Sequence, residues 1–256
     1  MPGAEINKRS PMMLHTEAQT PQGWRLSSWE LSSPKHSLSE DVWFTEVTGS
    51  RLRLGVLDGA SSTALEHQLG VISGGLAAAW TAAQQLAAKQ DKPLSQELLE
   101  EVHQVILGLG GPHHSLGAVS RPQAAWAVTE VEEHKVTAWV GGDCEIWFSD
   151  KGQWRRLCSH DMLTELGRAR FEDQSLPMQD RKALLEDAAY WHSTSFGRYP
   201  ELRCVSESFQ GPWEKLLLAS DGARISLPAF KDLDAHLGQV GRAEKRDDIC
   251  AVLLQR

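Results

Sequence analysis

The sequence has few cysteines and no long apolar run. It contains four cysteines in 256 residues. They are scattered, without the paired spacing of a zinc site or a disulfide framework. We therefore expect a reduced, cytoplasmic protein with buried thiols. No apolar segment is long enough to span a bilayer, so we expect no membrane partner.

Positive charge is also in short supply. The chain has 34 acidic and 26 basic residues, with a formal net charge of -8. A nucleic-acid-binding domain presents a basic face, so we expect no nucleic-acid partner. The excess of carboxylates instead suits a divalent cation, because hard cations prefer oxygen ligands.

The hydrophobic pattern predicts one domain preceded by a flexible arm. Residues 1–22 are polar and lack clear periodicity, which is typical of a loose N-terminal arm. Strand-like and helical patterns fill residues 23–256 without a linker, which predicts a single domain, large enough to be a catalytic domain. The strands fall in two clusters with amphipathic helices nearby. We expect an α/β (α+β) four-layer sandwich, with two mainly antiparallel β-sheets face to face and helices on both sides.

Short connections predict which strands pair. Residues 42–47 and 51–57 should form a hairpin, and four strands between residues 124 and 157 should form one antiparallel meander. A long helix is expected after the hairpin. In that helix Trp80 would face the core and Gly74-Gly75 would lie in the middle.

Acidic residues stand at the ends of several predicted strands. Glu40 precedes the first strand of the hairpin and Asp58 follows the second, so both belong to one edge. Asp143 follows another strand at a Gly-Gly turn. Asp221 ends a late apolar strand and Asp247 precedes the closing one. If those two strands pair antiparallel, their acids also share an edge.

Two interpretations of these acids are open. Strand ends meet solvent, where acids are common and an Asp-Gly pair marks an ordinary turn. Alternatively, the acids converge, in which case they would raise each other's pKa and a divalent cation would relieve the repulsion. Ligands that are all oxygen indicate magnesium, manganese or calcium rather than zinc. Five acidic positions, three of them beside glycine, favour the metal site.

Taken in order, these segments resemble the motifs of the metal-dependent protein phosphatases of type 2C, the PPM family, in its bacterial single-domain form. The resemblance runs from about Ser37 to the C-terminus. The segments that carry it are Ser39-Glu40-Asp41, Gly55-Val56-Leu57-Asp58-Gly59, Val140-Gly141-Gly142-Asp143-Cys144, Ser159-His160-Asp161, Ser195-Phe196-Gly197, Leu218-Ala219-Ser220-Asp221-Gly222 and Arg246-Asp247-Asp248-Ile249.

The resemblance implies two divalent metal ions, manganese or magnesium, and a weaker third. Asp58 would bridge the two ions and Gly59 would lend its backbone carbonyl. Glu40 would serve one ion, while Asp221 and Asp247 would serve the other. The implied ligand set is therefore Glu40, Asp58, Gly59, Asp143, Asp221 and Asp247, with Asp143 and Asp221 at the third position.

The resemblance also implies a reaction, the hydrolysis of phosphoserine or phosphothreonine in a protein. A hydroxide that bridges the metals would attack phosphorus in line, which makes Asp58 and Asp221 the catalytic carboxylates. The expected partner is a phosphorylated protein, and we expect a monomer.

Two positions depart from the family pattern. Many members carry a histidine directly after the Asp-Gly pair, where this chain has Ala60. The family often has a phosphate-binding arginine where this chain has His36, which could still hydrogen-bond phosphate and is the third catalytic candidate. These departures leave a second hypothesis open, a catalytically weak regulator that binds phosphoproteins. A phosphohydrolase of small molecules is a third.

Overall fold

Two antiparallel β-sheets lie at the centre of the protein. The computed structural model describes residues 13–33, 39–60, 73–109, 121–157, 163–172, 175, 177, 187–223, 225–242 and 247–256. The six-stranded sheet has the order β1-β2-β11-β10-β7-β8, and the five-stranded sheet has the order β3-β4-β5-β6-β9. The strands are β1 (Leu14–Gln19), β2 (Arg25–Leu31), β3 (Val42–Thr48), β4 (Arg51–Ala60), β5 (Gln123–Glu132), β6 (Lys135–Gly141), β7 (Glu145–Asp150), β8 (Gln153–Arg156), β9 (Val205–Gln210), β10 (Lys215–Ala219) and β11 (Ile249–Gln255).

The two sheets pack face to face through a shared apolar core. On β4, Leu52, Leu54 and Val56 point into this core, where they meet residues of the other sheet such as Leu216 and Val252. Successive side chains of a strand point to opposite faces, so the intervening positions of β4 face outward. Both faces of the strand are buried, which explains its nearly continuous apolar sequence.

Helices cover the outer faces of both sheets. The helices α1 (Gly74–Ala88) and α2 (Gln96–Leu109) pack on the five-stranded sheet around Leu57 and Trp126. On the other side, α4 (Leu233–Val240) packs on the six-stranded sheet through Leu237. A further helix, α3 (Glu165–Glu172), follows β8. The predicted four-layer sandwich is confirmed.

The predicted N-terminal arm is wrong for its described part. Residues 14–19 form the strand β1, which pairs with β2 in register from Leu14 opposite Glu30 to Gln19 opposite Arg25. All six residues of β1 are exposed, because it is the edge strand and neither of its faces is covered. An edge strand of this kind shows no apolar alternation, so the sequence pattern resembled a loop. Residues 1–12 lie outside the described residues.

The predicted meander is also wrong at one connection. Strand β6 pairs with β5 and β9 in the five-stranded sheet, whereas β7 pairs with β10 in the six-stranded sheet. The chain therefore crosses between the sheets at residues 142–144. A short connection is compatible with a hairpin or with a crossing between packed sheets, and sequence spacing does not separate the two.

The helix after the hairpin differs from its prediction in two respects. Ser73 caps the start of α1 by accepting a hydrogen bond from the backbone N–H of Leu76, so Gly74 and Gly75 begin the helix rather than weaken its middle. Trp80 is 56% exposed instead of facing the core. The buried face of α1 consists mainly of glycine and alanine, which lets the helix approach the sheet closely.

Two smaller findings concern the cysteines and the membrane. Cys144 and Cys250 are buried free thiols, as expected. Within the described ranges, none of the helices has the length and apolar character needed to cross a bilayer.

Candidate metal-dependent active site

The acids predicted to share one rim line a single cleft. This cleft has a volume of about 340 Å³ and opens where strands of both sheets end. Its described lining consists of Glu40, Asp58, Gly59, Ala60, Gln123, Ala125, Asp143, Ser195, Arg198, Asp221 and Asp247. All six residues of the expected ligand set therefore lie in the same place.

The β3–β4 hairpin brings Glu40 and Asp58 together. Val42 pairs with Leu57, and the backbone N–H of Gly59 donates to the Glu40 carbonyl at 3.2 Å. Gly59 also touches the start of α1, since a Cβ there would lie 2.5 Å from the carbonyl carbon of Gly75. Glycine is thus required at position 59 for the helix to pack against this turn.

The six-stranded sheet supplies Asp221 and Asp247. Ala219 pairs with Ala251, so the end of β10 and the start of β11 share an edge, as predicted. Asp221 opens a short 3-10 turn directly after β10. Asp143 reaches the cleft by a different route, because it lies on the crossing between β6 and β7.

Asp248 anchors the loop that carries Glu40. Its Oδ2 accepts a hydrogen bond from the backbone N–H of Glu40 at 2.7 Å, and its Oδ1 accepts one from the backbone N–H of Ser33. Asp248 is only 2% exposed. The sequence analysis placed Asp247 and Asp248 in one motif and did not predict that Asp248 is buried and structural. Its position directly before an apolar strand was the signal that could have indicated burial.

The carboxyl groups of Asp58 and Asp221 are in hydrogen-bond contact. Burial and the nearby charges of Asp41, Asp221 and Asp143 raise the pKa of Asp58 well above its usual value. Burial, together with the charge of Asp143, raises the pKa of Asp221 to about 6. A hydrogen bond from Asp58 lowers the pKa of Asp221 and so offsets part of this rise. Two ionised carboxylates cannot hydrogen-bond each other, so this pair holds a proton or needs a cation.

Asp41 is a further acid of this cluster that the expected ligand set omitted. It is 5% exposed, and its Oδ2 is buried without a hydrogen-bond partner. Burial raises the pKa of Asp41, a hydrogen bond with Ser220 lowers it, and the charges of Asp248 and Asp221 raise it again. A buried carboxylate oxygen without a donor is costly unless a cation meets it.

The residues of the cleft fit a hard divalent cation. No three His, Cys, Asp or Glu side chains of the described part already form a group that could hold a metal ion. The donor chemistry nevertheless suits magnesium or manganese, because the polar lining is rich in carboxylates and the Asp41 Oδ2 lacks a partner. A cation would also compensate the Asp58–Asp221 contact.

Some expected and some unexpected residues complete this picture. His36 lies outside the described residues, as do Ser159-His160-Asp161 and Arg246, so the predicted role of His36 stays a prediction. Ala60 does line the cleft, at the position where the resemblance expects histidine. Arg198 lines it too, although no motif argument selected it. Its place directly after Ser195-Phe196-Gly197, a segment that carries the resemblance, was the available signal.

Comparison with known proteins supports the fold through structure alone. Neither a protein-family model nor a curated protein sequence matches this chain. Among solved structures, Stp1, a serine/threonine phosphatase from Staphylococcus aureus, superposes with a TM-score of 0.64 at 12% identity, covering 95% of this chain and 98% of that one. RsbX, crystallised in complex with magnesium, gives 0.60 at 11% identity, covering 95% and 99%. PppA, a key regulatory component of T6SS in Pseudomonas aeruginosa, gives 0.62 at 14% identity, covering 91% and 97%.

These likenesses establish a shared fold over nearly the whole length of each chain. The fold is that of bacterial serine/threonine phosphatases such as Stp1. At 11–14% identity the similarity does not by itself transfer an activity. Function has to be argued from the cleft.

Proposed function

We propose that this chain is a metal-dependent protein serine/threonine phosphatase that acts on phosphorylated proteins of the cytoplasm. The contact between Asp58 and Asp221, inside a cleft also lined by Asp143 and Asp247, carries the proposal. Such a cluster is costly by itself and becomes favourable around divalent cations. The fold shared with Stp1 and with magnesium-bound RsbX supports the same conclusion.

Two ions, Mn²⁺ or Mg²⁺, would occupy the cleft. Asp58 would contact both, since it lies between the hairpin acid Glu40 and Asp221 of the other sheet. The Gly59 carbonyl and Glu40 would hold one ion, and Asp221 with Asp247 would hold the other. Asp143, whose charge acts on Asp58 and Asp221, would serve a weaker third ion. When bound, these ions would lower the pKa of water and offset negative charge on the phosphate oxygens.

Residues of the chain hold the expected metal ligands in place. Asp248 holds the backbone N–H of Glu40, and the Gly59–Gly75 contact fixes the turn that carries Asp58. A ligand set that is fixed before the metal arrives loses little entropy on binding. This arrangement supports in-line hydrolysis of a phosphate monoester by activated water, without a phosphoenzyme.

The test is metal-dependent turnover of a phosphoserine peptide. Protein stripped with a chelator should be inactive, and Mn²⁺ or Mg²⁺ should restore hydrolysis. The Asp221→Asn variant should lose at least about a hundredfold in kcat, a typical loss when a direct contributor to transition-state stabilisation is removed. Asp91→Asn is the matched control, because Asp91 is an exposed aspartate away from the cleft.

Ala60 favours a second candidate, a phosphoprotein-binding regulator of the same fold. Among the described residues that line the cleft there is no histidine to protonate the leaving oxygen. A regulator would bind the phosphopeptide in the presence of Mn²⁺ but release no phosphate. Hydrolysis of p-nitrophenyl phosphate without hydrolysis of any phosphopeptide would instead indicate a small-molecule phosphohydrolase.

A further inference from the structure

Arg198 brings positive charge to a cleft that is otherwise acidic. Among the described residues of the cleft lining, it is the only one with a cationic side chain. A phosphate monoester carries about two negative charges, so it needs a cation besides the metals to enter a cleft lined by carboxylates. The expected phosphate-binding residue, His36, is not arginine.

The position of Arg198 follows from the pairing partners of strand β5. Strand β6 pairs with β5 only as far as Gly141 opposite Trp126. Beyond that point Phe196 takes its place and pairs with Ala124, with two backbone hydrogen bonds of 2.9 and 3.2 Å. Ala124 also pairs with Gly59 on the other side of β5. Arg198 thus follows a segment that lies one strand away from the Asp58-Gly59 turn.

A buried histidine clamps the backbone on both sides of Arg198. The Nδ1 of His103 accepts a hydrogen bond from the backbone N–H of Gly197 at 3.1 Å, and its Nε2 lies 2.8 Å from the carbonyl of Tyr199. Since Nδ1 is an acceptor, Nε2 carries the proton and donates to Tyr199. Burial lowers the pKa of His103, in agreement with a neutral ring.

The side chain of Arg198 is held by an aromatic wall. Its guanidinium carbon lies 4.1 Å from the ring centre of Trp191 and 5.4 Å from that of Tyr199. Trp191 is 5% exposed and Tyr199 is 3% exposed, so these rings form a fixed surface. Stacking on such a ring keeps a guanidinium planar and oriented.

We propose that Arg198 is a phosphate-binding residue of this cleft, positioned by the Trp191 ring and by the His103 clamp. It receives the substrate phosphate through the fork of its guanidinium, while the acids hold the metals. This assignment rests on the proposed function for its substrate, but the binding of phosphate by Arg198 can be measured without any turnover.

The first experiment is calorimetric titration of inorganic phosphate into the full chain in the presence of Mn²⁺. Arg198→Ala should weaken phosphate binding about tenfold to a hundredfold, which corresponds to the loss of a hydrogen bond to a charged group. Arg198→Lys should lie between wild type and alanine, because lysine keeps the charge but not the planar fork. Arg170→Ala is the matched control, since Arg170 is exposed on α3.

The second experiment separates this inference from the proposed function. On a phosphoserine peptide, Arg198→Ala should raise KM by a similar factor with a smaller change in kcat. Equal phosphate affinity in wild type and Arg198→Ala, or no phosphate binding by wild type with Mn²⁺, overturns the role of Arg198. Phosphate binding that depends on Arg198 in a protein without turnover supports this role and contradicts only the phosphatase proposal.

Discussion

The two ends of β4 bury charge in opposite ways. At its start, Arg53 is 2% exposed and its guanidinium lies 2.8 Å from the Glu130 carboxylate on β5. The same guanidinium donates to the carbonyls of Leu86 and Lys89 at the end of α1. At its other end, Asp58 meets Asp221 and further acids of like charge.

The two ends of β4 differ in whether their buried charge is balanced. In the Arg53–Glu130 pair the two charges balance, although the buried Nε of Arg53 has no hydrogen-bond partner. Such a pair adds little stability relative to a well-packed apolar pair. A buried group of like charges is unfavourable unless protons or cations join it. One strand therefore carries a charge-balanced site at Arg53 and an unbalanced one at Asp58, and only the second can gain from a bound metal.

The largest expected effect comes from Asp58→Asn. We expect metal-dependent turnover of a phosphoserine peptide to fall by at least about a hundredfold, because a direct ligand of both ions is lost. The metal-free variant should meanwhile unfold at a higher temperature than the metal-free wild type, since one of the repelling charges is gone. Turnover and thermal unfolding, each with and without Mn²⁺, measure the two effects.

The prediction is specific because turnover is expected to fall while the unfolding temperature of the metal-free protein rises. A variant that merely misfolds would lose activity and stability together. The Asp91→Asn control should change neither quantity. Full activity in Asp58→Asn would contradict its role at the metals, and a lower unfolding temperature without metal would contradict the repulsion.

Much of this acidic end could be predicted from sequence. Strand ends are marked by the change from apolar runs to Asp-Gly pairs, and antiparallel pairing then places Glu40 beside Asp58 and Asp221 beside Asp247. These features are local, or depend on one pairing between neighbours.

The remainder depends on contacts that sequence spacing does not encode. Arg198 enters the cleft because β6 stops at Gly141 and another segment takes its place beside β5. Asp41 joins the acids because Asp248 fixes the irregular loop before β3. Trp80 is exposed because α1 packs through small residues, which a rule based on large apolar side chains does not detect.

The second prediction concerns the charge-balanced end of β4, at Arg53. Arg53→Met should lower the free energy of unfolding by about 3–5 kcal/mol, because it leaves Glu130 buried without its close partner. Arg51, whose Nη1 lies 3.7 Å from the same carboxylate, should keep the loss near the lower figure. Urea unfolding measures it. Phosphatase activity per folded molecule should be unchanged.

The double variant Arg53→Met/Glu130→Leu tests the cause. Replacing both partners removes the uncompensated charge, so it should recover part of the lost stability. A single variant within about 0.5 kcal/mol of wild type, the range of ordinary surface substitutions, would show that Arg53 does not complete this site.

The smallest expected effect is the pH dependence of the metal-free protein. An unfolded aspartate titrates near its usual value, while the folded pKa of Asp221 is raised to about 6 and that of Asp58 is raised well above its usual value. Between these values the folded state keeps protons that the unfolded state has lost. Stability from this end of β4 is therefore present at low pH and falls as pH rises through about 6. His103 acts in the opposite direction, because its pKa is lowered on folding and its contribution is lost as pH falls.

The Asp58→Asn variant keeps His103, so the difference in unfolding temperature between the variant and wild type should widen by at least about 2–4 °C from pH 5.5 to pH 8, which corresponds to roughly 1 kcal/mol. Saturating Mn²⁺ should stabilise the wild type most at pH 8, where the metal no longer competes with protons. A difference that stays constant with pH would mean that Asp58 is as well compensated as Glu130.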